Sequence, residues 1–377
     1  MDAVYKKSLE FHKKHGGKLE TRSKVPLKNA DDLSLAYTPG VAEVARAISK
    51  NKNEVYDYTL KRNSVAVVSD GSAILGLGNL GSLAAIPVME GKSILFKELA
   101  GIDAFPICLD TQDVDEIVRT VKNIAPVFGG INLEDISAPR CFEIEKRLKN
   151  ELDIPVVHDD QWGTSIVVLA AIVNAIKLKG VKKESVKIVV NGAGAAGTAV
   201  AKILVYYGFP DITICDSRGI ISRERKDLNE SKIELAHLTN KSAGNLESAA
   251  KGSDILIGVS KADLFTSATI QGMNKKPIVL ALANPIPEIM PDEALAAGAF
   301  IVATGRSGSI NQVNNSLAFP GIFRGALDNK VKQVTMTMLV RAAENLAFCV
   351  TNPAPDKILP LPLDKTAVLA VARAIKN

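Results

Sequence analysis

The 377 residues make room for two or three domains at about 150 residues each. A hydrophobic share of 47% and a charged share of 23% exclude a disordered chain, a collagen-like chain and a small stapled scaffold. The net charge is only +5, no dense basic block stands out and aromatics are 5%, so no nucleic-acid partner is expected.

The amino terminus, MDAVYKKSLEFHKKHGG, is too charged for a secretory leader. It predicts a helix over 3–14, stopped by Gly16 and Gly17. A polar stretch follows to Leu33. From Ser64 onward, short β-branched runs at 64–70, 105–110, 129–135 and 155–160 each end in an acidic residue or pair. Helical patterns lie between them, as in DVDEIVRTVKNIA with Ile117, Val118, Val121 and Ile124 on one face. Strands alternating with helices predict a parallel sheet, and ligands bind such sheets outside the carboxyl ends of the strands. The acidic strand ends therefore point to a site.

A helix over 165–180 is apolar nearly all round, which places it between two domains. Its uncharged run, 166–176, is about half of a membrane span, so no membrane partner is expected. Five strands follow, at 187–192, 212–217, 254–260, 277–285 and 300–305, in a doubly wound pattern. Two helices broken by TNPAPDKILPLP end the chain. The fold class is α/β with two domains. Residues 1–164 form an α/β catalytic and metal-binding domain, 165–330 a Rossmann-type dinucleotide-binding domain, and 331–377 carboxyl-terminal helices. Cys108, Cys141, Cys215 and Cys349 form no C-x-x-C pair; scattered thiols fit a reducing compartment, and the cytoplasm is expected.

G-x-G-x-x-G occurs twice. Gly192, Gly194 and Gly197, with Ala193, Ala195 and Ala196, follow the strand KIVV and open an apolar helix. Asp216 ends the next strand, where an acid can bond a ribose 2′-hydroxyl. This predicts a dinucleotide site. The carboxylate favours NAD, while Arg218 nearby could accommodate the 2′-phosphate of NADP. The copy at Gly76, Gly78 and Gly81 lacks a following acid and reads as a tight turn walling the active site.

Glu134-Asp135 and Asp159-Asp160 repel each other unless a cation or a lysine compensates, and oxygen ligands suit Mg²⁺ or Mn²⁺ rather than zinc. Separate solvated acids remain the alternative. A lone histidine such as His158 is ordinarily a structural hydrogen-bonder. Lys92, beside apolar segments, can titrate below its usual value of about 10.4 and act as a base, or it can be a surface lysine. Tyr37, at a Pro-Gly turn, reads on its own as a half-buried core tyrosine.

Several segments together resemble the malic enzymes, most closely the short bacterial and archaeal branch. They are LAYTPGVAEVARAI (35–48), VVSDGSAILGLGNLGSLAAIPVMEGKSILFKELAGIDAFPI (67–107), INLEDISAPRCFEIE (131–145), VVHDDQWGTSIV (156–167), VVNGAGAAG (189–197), LALANPIPEI (280–289) and NQVNNSLAFPG (311–321). The resemblance implies oxidative decarboxylation of (S)-malate to pyruvate and CO₂, with reduction of NAD or NADP and a need for Mg²⁺ or Mn²⁺. It puts Tyr37 on the family's general acid, Lys92 on its general base and Asp159 on the acid that orients the lysine. Glu134, Asp135 and Asp160 fall on the metal ligands. Asn284 and Asn315 fall on asparagines bordering the nicotinamide and the substrate carboxylate. Larger members carry a substrate-holding arginine where this chain has Ala73, which leaves the group that holds the C1 carboxylate open. The resemblance also implies a homodimer. A metal-dependent oxaloacetate decarboxylase without net redox chemistry, or a non-catalytic nucleotide-binding regulator, are the competing readings.

Overall fold

A computed structural model describes residues 2–240, 243–306 and 308–377. Four helices open the chain: α1 (Asp2–His15), α2 (Ala30–Ala36), α3 (Val41–Lys50) and α4 (Val55–Tyr58). The first sheet combines β1 (Ser64–Ser69), β2 (Asp103–Cys108), β3 (Gly130–Leu133) and β4 (Val156–His158) in the order β2-β1-β3-β4. All its pairs are parallel. Its crossovers are α5 (Ser82–Ala100), α6 (Val114–Ile124) and α7 (Arg140–Glu151).

α8 (Asp159–Lys179) leads to the second sheet. That sheet is built from β5 (Lys187–Asn191), β6 (Asp211–Asp216), β7 (Gly219–Ile220), β8 (Ile255–Gly258), β9 (Ile278–Ala281) and β10 (Ile301–Thr304). Its order is β10-β9-β8-β5-β6-β7, parallel except for β7. The connections reverse direction beside β5, the switch point at which doubly wound sheets bind ligands. Around it lie α9 (Ala195–Tyr207), α10 (Glu230–Ala236), α11 (Leu246–Ala250), α12 (Ser267–Gln271) and α13 (Pro291–Ala296). The chain closes with α14 (Phe319–Asp328), α15 (Met336–Phe348) and α16 (Lys365–Ala374).

Both faces of the central strands are buried. Val65 and Val67 of β1 share one apolar core with Ile188 and Val190 of β5, while Ala66 and Val68 face another. α8 supplies Ile166, Val168 and Ile172 to the shared core and joins the two sheets. It is long and apolar enough to cross a membrane, but those side chains are fully buried inside the protein. It begins six residues before the expected start, so the 164/165 boundary falls inside it. Asp159 and Asp160 consequently occupy a first helical turn rather than a strand end. The reason is physical: acidic side chains there are stabilised by the positive end of the helix dipole.

Candidate active site

Lys92 lies mid-way along α5, only 7% exposed. Its Nζ is 2.6 Å from Asp159 Oδ2 and 2.8 Å from Glu134 Oε1, and sits 4.1 Å above the ring of Phe319. α5, the β3 exit, α8 and α14 thus converge on one ammonium. Phe96 one turn further along α5 packs edge-on against Phe319 and Phe323, at centroid distances of 4.7 and 5.4 Å, and fixes α5 against α14. The expectation that Lys92 titrates below its usual value is corrected by this geometry. Burial does pull it down, but Asp159 and Glu134 outweigh burial and hold the ammonium protonated.

Glu134 and Asp135 follow β3. Asn132 Nδ2 donates to Glu134 Oε2 at 2.9 Å. Asp135 adopts φ 53°, a left-handed conformation that aspartate tolerates better than most residues, and its N–H donates to Asp160 Oδ2 at 2.8 Å. His158 Nε2 lies 3.1 Å from the same oxygen. Burial opposes its protonation, yet Asp160 prevails and raises the imidazole well above its usual range. One oxygen from each of Glu134, Asp135 and Asp160 can gather within 4.8 Å.

A divalent cation fits this donor set. Asp135 Oδ2 is buried with no hydrogen-bond partner. Four carboxylates face Lys92 and His158, so two negative charges stay uncompensated even with both bases protonated. Burial and Asp160 accordingly push Asp135 up to about 7. All the ligating atoms are carboxylate oxygens, the chemistry of Mg²⁺ or Mn²⁺ sites.

Sequence reading missed the supports of this site. Glu145, buried on α7, accepts from His158 N (3.2 Å), Gln161 Nε2 (3.0 Å) and Trp162 Nε1 (2.8 Å), and so anchors the start of α8. Gly163 faces Asp159 so closely that a Cβ there would overlap Asp159 Oδ1, and it would lie 3.2 Å from Asn315 Cβ. Asn315 is thereby placed at the acidic cluster. Such contacts cross between elements, and no spacing in the chain announces them. The loop at Gly76, Gly78 and Gly81 is a tight turn, as expected, with Ile74 N donating to Gly78 O at 3.0 Å. A side chain on Gly76 would strike the Asn284 carbonyl, so this loop meets the second domain at Asn284. Ala73, in the same loop, donates its N–H to Asp135 O at 2.9 Å.

In the second domain, Gly192 has φ 130°, and a Cβ on it would lie 2.6 Å from Val259 O. A Cβ on Gly197 would collide with Gly192 O. Gly194, the N-cap of α9, has open space around it, so a pyrophosphate can approach the free N–H groups of Ala195 and Ala196. Ala193 is half-buried in the same turn. Asp216 ends β6, but its carboxylate is engaged. It lies 2.8 Å from Arg225 Nη1 and 2.6 Å from Lys232 Nζ, and accepts from Arg218 N at 2.9 Å. Burial pushes it up, but Arg225 and Lys232 hold it below the usual carboxylate range. Arg218 itself pairs with Asp227 at 2.7 Å.

Tyr37 does not join the cluster. It caps α2 on the surface, 66% exposed, and its hydroxyl has no hydrogen-bond partner among the described residues.

A doubly wound dinucleotide-type sheet joined to a domain with a buried lysine beside a carboxylate trio is the build of an α/β oxidoreductase. Residues 16–149 match the family model for the malic enzyme N-terminal domain, and residues 162–376 the model for the malic enzyme NAD binding domain. The chain belongs to the malic enzyme family. It is 54% identical to the bifunctional malic/malolactic enzyme of Bacillus subtilis, over 99% of this chain and 92% of that one. It is 52% identical to the NAD-dependent malic enzyme of Geobacillus stearothermophilus, over 96% and 76%. The crystal structure of an NAD-dependent malic enzyme from Thermotoga maritima superposes with a TM-score of 0.95 at 49% identity, covering 98% of both chains.

Proposed function

We propose that the chain converts (S)-malate to pyruvate and CO₂ by oxidative decarboxylation, with reduction of NAD or NADP and with Mg²⁺ or Mn²⁺ as the required cation. The observation that carries this reading is Lys92, sealed between Asp159 and Glu134 beside the trio Glu134, Asp135 and Asp160. Glu134, Asp135 and Asp160 hold the cation. When bound, the cation supplies Lewis acidity to the substrate oxygens and the dinucleotide accepts a hydride.

The remaining work belongs to the chain. Lys92 takes the proton of the C2 hydroxyl as malate is oxidised. Glu134 is shared between Lys92 and the trio, so a cation there weakens the pull that keeps the ammonium protonated. Asp159 orients Lys92 and Glu145 steadies the helical turn that carries Asp159. Asn315 borders the substrate at the acidic cluster, and Asn284 lies where the dinucleotide domain meets the Gly76 loop. Tyr37 returns a proton to C3 after CO₂ departs. Gly192, Ala193, Gly194, Ala195, Ala196 and Gly197 cradle the pyrophosphate, and Asp216 faces the adenosine ribose.

We assign residues 1–164 to the chemistry and 165–330 to the dinucleotide, with 331–377 bracing both, and the active form to a homodimer. Cys108, Cys141, Cys215 and Cys349 are all free thiols, which suits a reducing cytoplasm. The test is malate-dependent formation of reduced dinucleotide with and without Mn²⁺. Turnover only with the cation is expected; turnover in excess chelator would overturn the metal assignment, and none under either condition the activity.

A further inference from the structure

β1 ends at Ser69, and the next three residues, Asp70, Gly71 and Ser72, suit a turn in which an aspartate bonds the chain two residues on. The structure forms that turn. Asp70 Oδ1 accepts from Ser72 N at 2.9 Å and from Ser72 Oγ at 2.5 Å. The loop that begins here is closed at its root, where Leu80 N and Gly81 N donate to Gly71 O at 3.2 and 3.1 Å. Gly71 has φ 67°, and a Cβ on it would overlap Gly81 O. Ser72 and Ala73 are held in place on both sides.

From Ser72 a ring of contacts runs to the loop after β3 and back. Ser137 N donates to Ser72 Oγ at 2.9 Å, and Arg140 Nη2 donates to Ser137 Oγ at 3.1 Å. The same nitrogen lies 3.0 Å from Asp70 Oδ2, which closes the ring as an ion pair on a fully buried carboxylate. Arg140 also donates to the Gln112 carbonyl and so ties in the loop after β2.

Asp135 lies between the two loops that this ring joins. Its carbonyl accepts from Ala73 N at 2.9 Å, its carboxylate accepts from the Leu75 backbone, and Ser137 is bound two residues further on. Its own N–H is spent on Asp160 Oδ2. A left-handed conformation such as its φ of 53° costs free energy and persists where the surroundings over-determine it. Here the 72–75 turn supplies most of that constraint. It leaves Asp135 Oδ2 buried and without a partner, free to bind a cation.

We propose that Asp70, Ser72 and Arg140 are positioning residues for the cation: their ring presents the 72–75 turn to Asp135 and so aims Asp135 Oδ2 into the site. The inference rests on the reading of Glu134, Asp135 and Asp160 as cation ligands. None of the three positioning residues belongs to that trio. Their effect therefore falls on cation affinity and leaves the chemistry of the loaded site intact.

Ser72→Ala keeps the backbone bond to Asp70 but leaves Ser137 N without its acceptor. Loss of a group that orients a metal ligand typically weakens binding by about 10–100-fold. Mn²⁺ is titrated into the cation-free protein and the free ion is followed by electron paramagnetic resonance. Ser72→Ala is expected to bind it at least about tenfold more weakly than wild type, with the dissociation constant for reduced dinucleotide unchanged. In turnover the KM for Mn²⁺ should rise alike, while kcat at saturating Mn²⁺ returns close to wild type. Arg140→Lys keeps a charge opposite Asp70 but lacks the planar fork that reaches Asp70, Ser137 and Gln112 together. It alters a partly exposed side chain and should weaken Mn²⁺ binding in the same direction. Wild-type Mn²⁺ affinity in Ser72→Ala, or in Arg140→Lys should Ser72→Ala not fold, would overturn the proposal. A fall in kcat at unchanged Mn²⁺ affinity would overturn it too, as the mark of a merely structural role. A wild type that binds no Mn²⁺ would overturn the cation assignment itself, and the inference with it.

Discussion

Gly163 and Asp159 stand one helical turn apart with no room for a side chain between them, since a Cβ on Gly163 would overlap Asp159 Oδ1. The same carboxylate holds Lys92 through Oδ2 at 2.6 Å. A Gly163→Ala variant is therefore expected to turn Asp159 off the lysine while α8 survives, because alanine favours a helix more than glycine does. Displacement by about 1 Å at a reacting group can cost about 10²-fold in rate. Malate turnover should fall by that order with an unchanged circular dichroism spectrum. Wild-type kcat would show that Asp159 does not need this position.

Asp160→Asn and Glu134→Gln each remove a charge from a hard-cation site, and Mn²⁺ affinity should fall by at least about tenfold, or ~1.4 kcal/mol. In the cation-free protein, burial and Asp160 push Asp135 up to about 7, so below that pH a cation must displace a proton. Mn²⁺ affinity should weaken from pH 8 to pH 6, with proton release visible in calorimetry across buffers of different ionisation enthalpy. Affinity that is flat over this range would contradict the arrangement.

Much of the fold was legible because its signals are local. The short β-branched runs of β1 and β5, buried on both faces, and the helical spacing of Ile117, Val118 and Val121 in α6 are set by burial along one element. Gly192 and Gly197 were legible because backbone crowding leaves no alternative to glycine there. The roles of Lys92, Tyr37 and the asparagines came through the resemblance, since a lone lysine or tyrosine carries no periodic signal. Glu145 and Gly163 escaped because their partners are brought to them only by folding. The protonation of Lys92 was misjudged for a related reason: the apolar flank was visible in sequence, but the two carboxylates that reverse its effect lie at residues 134 and 159.

Dinucleotide choice follows from the surroundings of Asp216. Its carboxylate holds Arg225 and Lys232, and Asp216→Ala would free Lys232, leave Arg225 held by Asp227 alone and remove a charge that would repel a 2′-phosphate. The ratio of kcat/KM for NADP to that for NAD should rise by at least about tenfold, or ~1.4 kcal/mol. In that variant, Arg225→Gln should reverse much of the gain. An unchanged ratio would place selectivity elsewhere.

Lys92 and Tyr37 should fail at different steps. Lys92→Ala is expected to abolish malate oxidation, a loss of about 10²–10⁴-fold. It also leaves buried carboxylates without their base, so its thermal midpoint must be checked first. Tyr37→Phe changes an exposed residue and should leave stability within about 0.5 kcal/mol, while slowing pyruvate formation from added oxaloacetate. Full-rate decarboxylation by Tyr37→Phe would remove the tyrosine from the proton transfer.

The central claim is that oxidation and decarboxylation of malate occur together at the Lys92 site. The direct measurement is the stoichiometry of products from (S)-malate in the presence of Mn²⁺, with reduced dinucleotide, pyruvate and CO₂ followed in one reaction. Equal amounts of all three are expected, and none of them from Lys92→Ala. Reduced dinucleotide without pyruvate, or lactate and CO₂ without net reduction, would contradict the account.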